Sequence, residues 1–407
     1  MTPRAKKILI FGAGINQLEL IREAKELGII SVVIDPQPDP PGKLEADFFY
    51  EVKADDYETT KQIALKHNID GIVTGQMEKP LRLMAKLAKE LNMIFHSPLI
   101  VERCTDKWLM KESFLLHGVP CARGLLINSG DELNVQKIGT FSFPLIIKPR
   151  DAFSSRGVYR TETIEELKAR LDESRSFASS GDVIIEEFLE GKEYSVEAIT
   201  FNGGTTIVQF TEKFITPYPN TVEIAHLQPA DLTESEKLEI KELVISGIEA
   251  LGINNSASHI EVMKTKKGPK IIEIGARLGG DFIASYLTKA STGVSMDKTA
   301  IQIALGIEPD LCPSLNHYSL IQYLNLPTGK KVKTIIPYFD ICDLPGVIMA
   351  HVLVKKGDII PEITHSALRP GWIIVHGLTR NEVICKGNET INLVSQKIIL
   401  EENDTWE

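Results

Sequence analysis

Over residues 7–91 the chain alternates short β-rich runs with helically spaced segments, and this alternation restricts the fold more than any other feature. Lys7–Phe11, 31–34 and Gly71–Thr74 read as strands, and Leu18–Glu26, Tyr57–His67 and 80–91 as helices. Parallel neighbours need a crossover, and a helix that packs back on the sheet supplies it. A Rossmann-like parallel sheet is therefore expected here. Residues 36–42, with four prolines, form the loop after its second strand.

Beyond Thr105 the pattern changes. A helix is expected over 107–117, and a buried strand over 144–148 ends in Lys148. Thr163-Ile-Glu-Glu166 and Thr233-Glu-Ser-Glu236 read as capping boxes. The second opens an amphipathic helix that reaches Leu251, with Leu238, Ile240, Leu243, Val244, Ile248 and Leu251 as its apolar positions. Val183–Glu187, 194–200, 205–211, 258–263 and 270–274 are strand candidates, the last two joined by a Lys/Gly/Pro turn. This part reads as α+β with antiparallel strands. From Asp310 strands dominate, clearest at 347–355 and 372–377, with a final helix inside 382–398. The 407 residues suggest two or three domains. We divide them as 1–104, 105–310 (halves 105–182 and 183–310) and 311–407.

Composition excludes several classes. No run of 18 apolar residues occurs, so no membrane span is expected. Met1 to Lys7 runs straight into a strand without a signal-peptide core. Five scattered cysteines without a Cys-x-x-Cys pair fit a reducing cytoplasm better than a disulfide framework or zinc site. A net charge of −10 disfavours nucleic acid as a partner.

Gly12-Ala-Gly14-Ile-Asn-Gln17, with Asp35 ending the next strand, has the outline of a dinucleotide fingerprint, but Gln17 replaces the third glycine. A tight βα turn of any doubly wound sheet fits equally well. Lys107 opens a helix, and Lys148 leaves a buried strand where ligand sites form. The small-residue loop 151–158 offers Ser154, Ser155 and Gly157, whose backbone N–H groups could meet a polyphosphate. In residues 183–196 a buried strand runs into an acidic turn, which suits ribose hydroxyls or a plain charged loop. The sharpest constellation is Ser258-His-Ile-Glu261 followed by Ile-Ile-Glu273-Ile-Gly-Ala-Arg277-Leu-Gly-Gly-Asp281. A turn centred near Lys267 sets Glu261 opposite Glu273 on one pleat face. Opposed like charges destabilise a sheet, so a cation is expected between them. Two oxygen donors completed by phosphate suit Mg²⁺. Arg277 can hold a phosphoryl or carboxylate oxygen bidentately.

Taken in order, Lys107, Ile-Ile-Lys148-Pro, the small loop, Ile-Glu-Glu-Phe-Leu-Glu-Gly-Lys-Glu193, His-Ile-Glu261 and Glu273-Ile-Gly-Ala-Arg277 resemble the ATP-grasp superfamily of carboxylate–amine and carboxylate–thiol ligases over residues 1–310. The resemblance implies an ATP-grasp fold, mixed α/β and α+β, with a Rossmann-like pre-ATP-grasp domain and a strand-rich C-terminal region. It implies ATP and Mg²⁺, or Mn²⁺, as cofactors. Lys107 and Lys148 would hold phosphates, Glu186, Phe188 and Leu189 would lie at the adenine, and Glu193 at the ribose. Glu261 and Glu273 would bind the metal, and Arg277 would face an acyl phosphate. Gly275 stands where many members have asparagine, and Ser-Ser-Arg-Gly where Gly-Ser-x-Gly is commoner. The Glu-x-Gly-Ala-Arg-Leu-Gly-Gly-Asp form and Arg369-Pro-Gly-Trp-Ile-Ile-Val-His-Gly-Leu-Thr resemble the L-amino-acid ligase branch. That places Glu223, His226 and Asp281 at an amino-acid pocket, with a small-molecule carboxylate and amine as partners and a homodimer as the assembly. A bicarbonate- or formate-activating relative, a non-catalytic ATP-binding protein and a nicotinamide dehydrogenase are the alternatives.

Overall fold

The computed structural model describes residues 4–152, 156–217 and 222–401. Four parallel strands form the first sheet: β1 (Lys7–Phe11), β2 (Ile30–Asp35), β3 (Phe48–Glu51) and β4 (Gly71–Thr74), in the order β3-β2-β1-β4. Helices cover both faces, so Ile8, Leu9 and Ile10 are all fully buried, and β1 shows the continuous apolar run of a central parallel strand. The Gly12–Gly14 loop is closed by protein groups. Asp35 accepts hydrogen bonds from the Ala13 N–H at 2.8 Å and the Gln37 N–H at 2.8 Å, and Gln17 is buried against Gly12. The Asp35 carboxylate thus holds the turn, as the structural reading of this motif expects.

The second sheet holds β5 (Gly124–Ile127), β6 (Leu145–Pro149), β7 (Tyr159–Thr161) and β8 (Val183–Glu187), ordered β5-β8-β6-β7. The helix Ile164–Ser176 lays Leu167 and Leu171 on this sheet. Val183–Glu187, expected to open the second half of the central region, belongs to the first: it pairs with β5 and β6. The capping box at Thr233 is complete, with Glu236 bonding back to the Thr233 N–H. At Thr163 it is half-formed, because Glu166 bonds to the Glu162 N–H instead.

The largest sheet has eight antiparallel strands. It begins with β9 (Gly191–Phe201), β10 (Gly204–Ile215), β11 (Glu223–Gln228), β12 (Ser256–Thr265), β13 (Gly268–Gly275) and β14 (Tyr318–Tyr323). After β15 (Val332–Ile335), β16 (Val347–Val352) and β17 (Gly371–Gly377) complete it, and β18 (Ile398–Leu400) pairs with β15. The order is β13-β12-β9-β10-β11-β14-β17-β16. Strands from beyond residue 310 therefore extend this sheet, and the expected boundary at 310 is not a break in it. Period-two alternation gives the sheet two faces. Tyr194, Val196, Ala198, Ile260 and Val262 pack under the helix Glu234–Leu251, while Glu193, Glu197, His259 and Glu261 turn the other way. Tyr286 donates to Glu19 at 3.0 Å and Lys289 to Glu23 at 2.8 Å, which docks the first sheet's helix Leu18–Glu26 beside that polar face. No helix among the described residues is long and apolar enough to cross a membrane.

Candidate active site

Lys148 leaves β6 beside Glu186 of β8, and the two ammonium groups of Lys148 and Lys111 sandwich the buried Glu186 carboxylate, Lys111 at 3.0 Å. Burial would raise the Glu186 pKa, but the two lysines outweigh it and hold the carboxyl below its usual range. Lys107 is fixed from both sides of its helix start. Asp106 caps the helix Lys107–Leu116 by accepting from the Trp108 and Leu109 N–H groups, and Arg150, just past β6, donates to Asp106 at 2.7 Å and to Asp182 at 3.0 Å. This pins the helix start to the end of the lysine strand. Phe188 and Leu189 follow β8 directly, with the Arg160 guanidinium 4.5 Å from the Phe188 ring centroid. Gly157 is buried at φ +74°, and a Cβ there would sit 2.8 Å from both Phe177 and Pro149, so only glycine fits. Ser154 and Ser155 lie outside the described residues.

Glu261 and Glu273 face each other across β12 and β13, as the sequence predicts, but by a different route. The strands pair outward from Thr265 opposite Gly268, which in unbroken register would set Ile272 opposite Glu261. A bulge at Ile272 shifts the pairing by one residue and brings Glu273 there. Each carboxylate has a lysine of its own beside it. Lys213 of β10 lies 3.0 Å from Glu261, and Lys107 lies 3.3 Å from Glu273. Lys213 also pairs with Glu193 and lies 3.6 Å from Glu223. Burial would raise the Glu261 pKa, but Lys213, His259 and Arg277 hold it at about 2. Among the described residues no three His, Cys, Asp or Glu side chains form a complete metal cage. Two facing carboxylates that rely on phosphate oxygens for the rest of the shell still fit Mg²⁺.

Behind this pair, His259 Nδ1 lies 2.5 Å from the fully buried Glu197, its direct neighbour across β9 and β12. A Cβ at residue 279 would stand 2.7 Å from both Glu197 oxygens and 2.8 Å from His259 Nδ1. That close approach accounts for glycine in the Arg277-Leu-Gly-Gly run.

Glu78, from the loop after β4, reaches in from the first sheet and lies 3.6 Å from Arg277. Burial, then the Glu273 charge, raises its pKa to about 7, against the pull of Arg277 and Lys107. A group whose folded pKa exceeds its unfolded one contributes stability that is full below the unfolded value and lost as pH rises through the folded one. Nucleotide-free protein should therefore lose on the order of 1–3 kcal/mol between about pH 5 and 8 that Glu78→Gln does not lose. Urea midpoints of both proteins at the two pH values test this, and equal changes would refute the buried-carboxyl account.

The far end is built by Asp281. Arg369 grips it bidentately at 2.7 and 2.8 Å, and His226 Nε2 lies 3.0 Å away. The Arg369 guanidinium lies 3.6 Å from the Tyr323 ring centroid. Burial opposes ionisation of Asp281, but Arg369 and His226 drive its pKa well below the usual carboxylate range. Asp281 and Phe282 both adopt left-handed φ, at 52° and 60°, an uncommon pairing for two non-glycine residues. His226 Nδ1 is buried without a hydrogen-bond partner among the described residues.

Residues 141–285 match the ATP-grasp domain family. This stretch is an ATP-grasp domain. The chain is 28% identical to dapdiamide A synthase of Enterobacter agglomerans over 66% of this chain and 66% of the relative. It is likewise 28% identical to the alanine–anticapsin ligase of Bacillus amyloliquefaciens, over 60% of this chain and 56% of that protein. These alignments span less than two thirds of the relatives' lengths. The fold matches a crystal structure of L-amino acid ligase from Bacillus licheniformis with a TM-score of 0.82 at 21% identity, covering 99% of this chain and 100% of that one.

The structure gathers Lys107, Glu193, Glu223, Glu261, Glu273, Arg277, His226 and Asp281 along one polar face, with Lys148 and Glu186 on the adjoining second sheet. Sequence reasoning missed Glu78, Lys111, Lys213, Arg369 as the Asp281 partner, and Tyr323. Lys213 carried one signal, a lysine inside the β-rich run Val208-Gln-Phe-Thr-Glu-Lys213-Phe-Ile.

Proposed function

We propose that this chain is an ATP-dependent carboxylate–amine ligase that joins two amino acids through an acyl phosphate. The observation that carries the reading is the in-register pair Glu261 and Glu273, flanked by Lys107, with Arg277 beside Glu78 at its edge. A substrate carboxylate attacks the γ-phosphorus of ATP, giving an acyl phosphate and ADP. An amine then attacks the acyl carbon, and phosphate leaves. Mg²⁺, or Mn²⁺ in its place, held by Glu261 and Glu273 would neutralise phosphate charge. Lys107 and Lys148 orient the phosphates, and Arg277 holds the acyl phosphate oxygens. The attacking amine must shed a proton, and Glu78, 3.6 Å from Arg277, is the carboxylate at that edge that can take it. Glu223 offers an acceptor for a substrate ammonium, and His226, whose buried Nδ1 has no hydrogen-bond partner among the described residues, lines the same end of the site. The relatives' names, dapdiamide A synthase and alanine–anticapsin ligase, support amino acids as the substrate class. The chain is proposed to act as a homodimer, as the resemblance implies, and in the cytoplasm, which its scattered cysteines fit.

Phosphate release from ATP across a matrix of amino-acid pairs tests this reading. Release that requires two amino acids together, with a matching dipeptide in the mass spectrum, is the expected result. Turnover driven by bicarbonate or formate, or by no second substrate, would replace it with another activity.

A further inference from the structure

Three carboxylates assigned to different ligands converge on one ammonium. Lys213 Nζ touches Glu193, lies 3.0 Å from Glu261 and 3.6 Å from Glu223, and its side chain is only 4% exposed. These partners come from β9, β12 and β11, while Lys213 sits on β10 among them. The ammonium is covalently anchored in a central strand and cannot diffuse away when another cation arrives. A single positive charge among three carboxylates leaves the cluster net negative, so the lysine is what keeps it from drawing cations more strongly.

We propose that Lys213 is a resident counter-ion that occupies the charge position of the metal at Glu261 until nucleotide is bound. It is a positioning residue that makes divalent-metal binding conditional on nucleotide. The inference rests on the reading of Glu261 and Glu273 as the metal carboxylates. A free divalent cation entering the empty site meets the fixed ammonium at close range and is repelled. Nucleotide phosphates bring the negative charge that offsets this repulsion, so the metal enters with them. Lys107 holds Glu273 at 3.3 Å in the same manner on the opposite strand. Glu193 and Glu223 share the ammonium, so a change at one ligand site redistributes its hydrogen bonds to the others.

The test is nucleotide-free Mn²⁺ binding, read by electron paramagnetic resonance of the free ion, with and without ADP. Wild type should hold Mn²⁺ weakly alone and tightly with ADP, and Glu261→Gln should lose the ADP-dependent site. Lys213→Met should tighten nucleotide-free Mn²⁺ binding by at least about tenfold, since one opposing unit charge at this range is removed. Lys213→Arg, which keeps the charge, should stay as weak as wild type, and Lys213→Met/Glu261→Gln should lose the gain. If Lys213→Met does not fold, Lys213→Met/Glu223→Gln removes the ammonium together with its most distant carboxylate and should still tighten binding, by less than Lys213→Met. Unchanged or weaker Mn²⁺ binding in the folded Lys213→Met or Lys213→Met/Glu223→Gln protein, with the ADP-dependent site intact, overturns the counter-ion role alone. An ADP-dependent site that survives Glu261→Gln overturns the underlying metal assignment as well.

Discussion

Glu273→Gln is expected to lower ATP-dependent phosphate release by about a hundred- to a thousandfold while leaving the fold in place. The amide is nearly the shape of the carboxylate, so the β12–β13 bulge and its neighbours can stay as they are. What disappears is the charge of one of the two carboxylates proposed to hold the metal together with phosphate. Loss of the Lys107 ion pair should cost little stability, because Lys107 also feels the Glu78 charge and donates to the Ala152 carbonyl at 2.9 Å. A second readout separates this from general damage. The Glu273 charge is the second largest cause of the raised Glu78 pKa, so the substitution should bring that value down from about 7. The pH dependence of stability attributed to Glu78 should shrink accordingly in Glu273→Gln. A variant that turns over ATP at the wild-type rate at equal Mg²⁺ would remove the hairpin carboxylates from the metal site.

How much of this was legible in the sequence follows from how local each feature is. The parallel first sheet was readable because its strands and helices are each marked by continuous runs, and β1, β4 and the helices Leu18–Glu26 and Tyr57–His67 fall where the periodicity set them. Phe48–Glu51 was not, since an edge strand of four residues behind a proline-rich loop leaves almost no pattern. The facing of Glu261 and Glu273 was readable from alternation and turn spacing. The bulge at Ile272 that achieves it was not, because three successive residues, Ile271, Ile272 and Glu273, show no break in β character. Glu78 sits in Gly75-Gln-Met-Glu-Lys-Pro80, a loop without periodicity, and becomes a site residue only when the first sheet docks against Arg277. Lys213 gains its meaning from three strands whose residues are spread from 193 to 261. Family resemblance singled out Glu193, Glu223, Glu261, Glu273 and Asp281, but it did not give the lysine, arginine and histidine partners that they have in the fold, because partners are set by tertiary contact rather than by motif.

Arg369→Met should be the most destabilising single change at the substrate end, at about 3 kcal/mol. Arg369 and Asp281 are 88 residues apart in sequence and form a bidentate, largely buried pair. Removing the guanidinium leaves the Asp281 carboxylate with His226 as its remaining partner, and a buried charge with half its compensation gone is costlier than no charge at all. The double variant Arg369→Met/Asp281→Asn should therefore recover most of the loss, a coupling that denaturant midpoints of the four proteins can measure. The pH dependence has a fixed sign. Asp281 has its folded pKa depressed by Arg369 and His226, so its contribution is present above the unfolded carboxyl value and fades as pH falls through the folded one. The gap between wild type and Arg369→Met should accordingly narrow on acidification and be widest near neutrality. Because Arg369 also donates to the Glu223 carbonyl at 3.4 Å and stacks on Tyr323, the stable double variant should still bind amino acid poorly while binding ADP normally. Equal losses in both affinities would instead show that the Arg369–Asp281 pair supports the whole sheet rather than the substrate pocket.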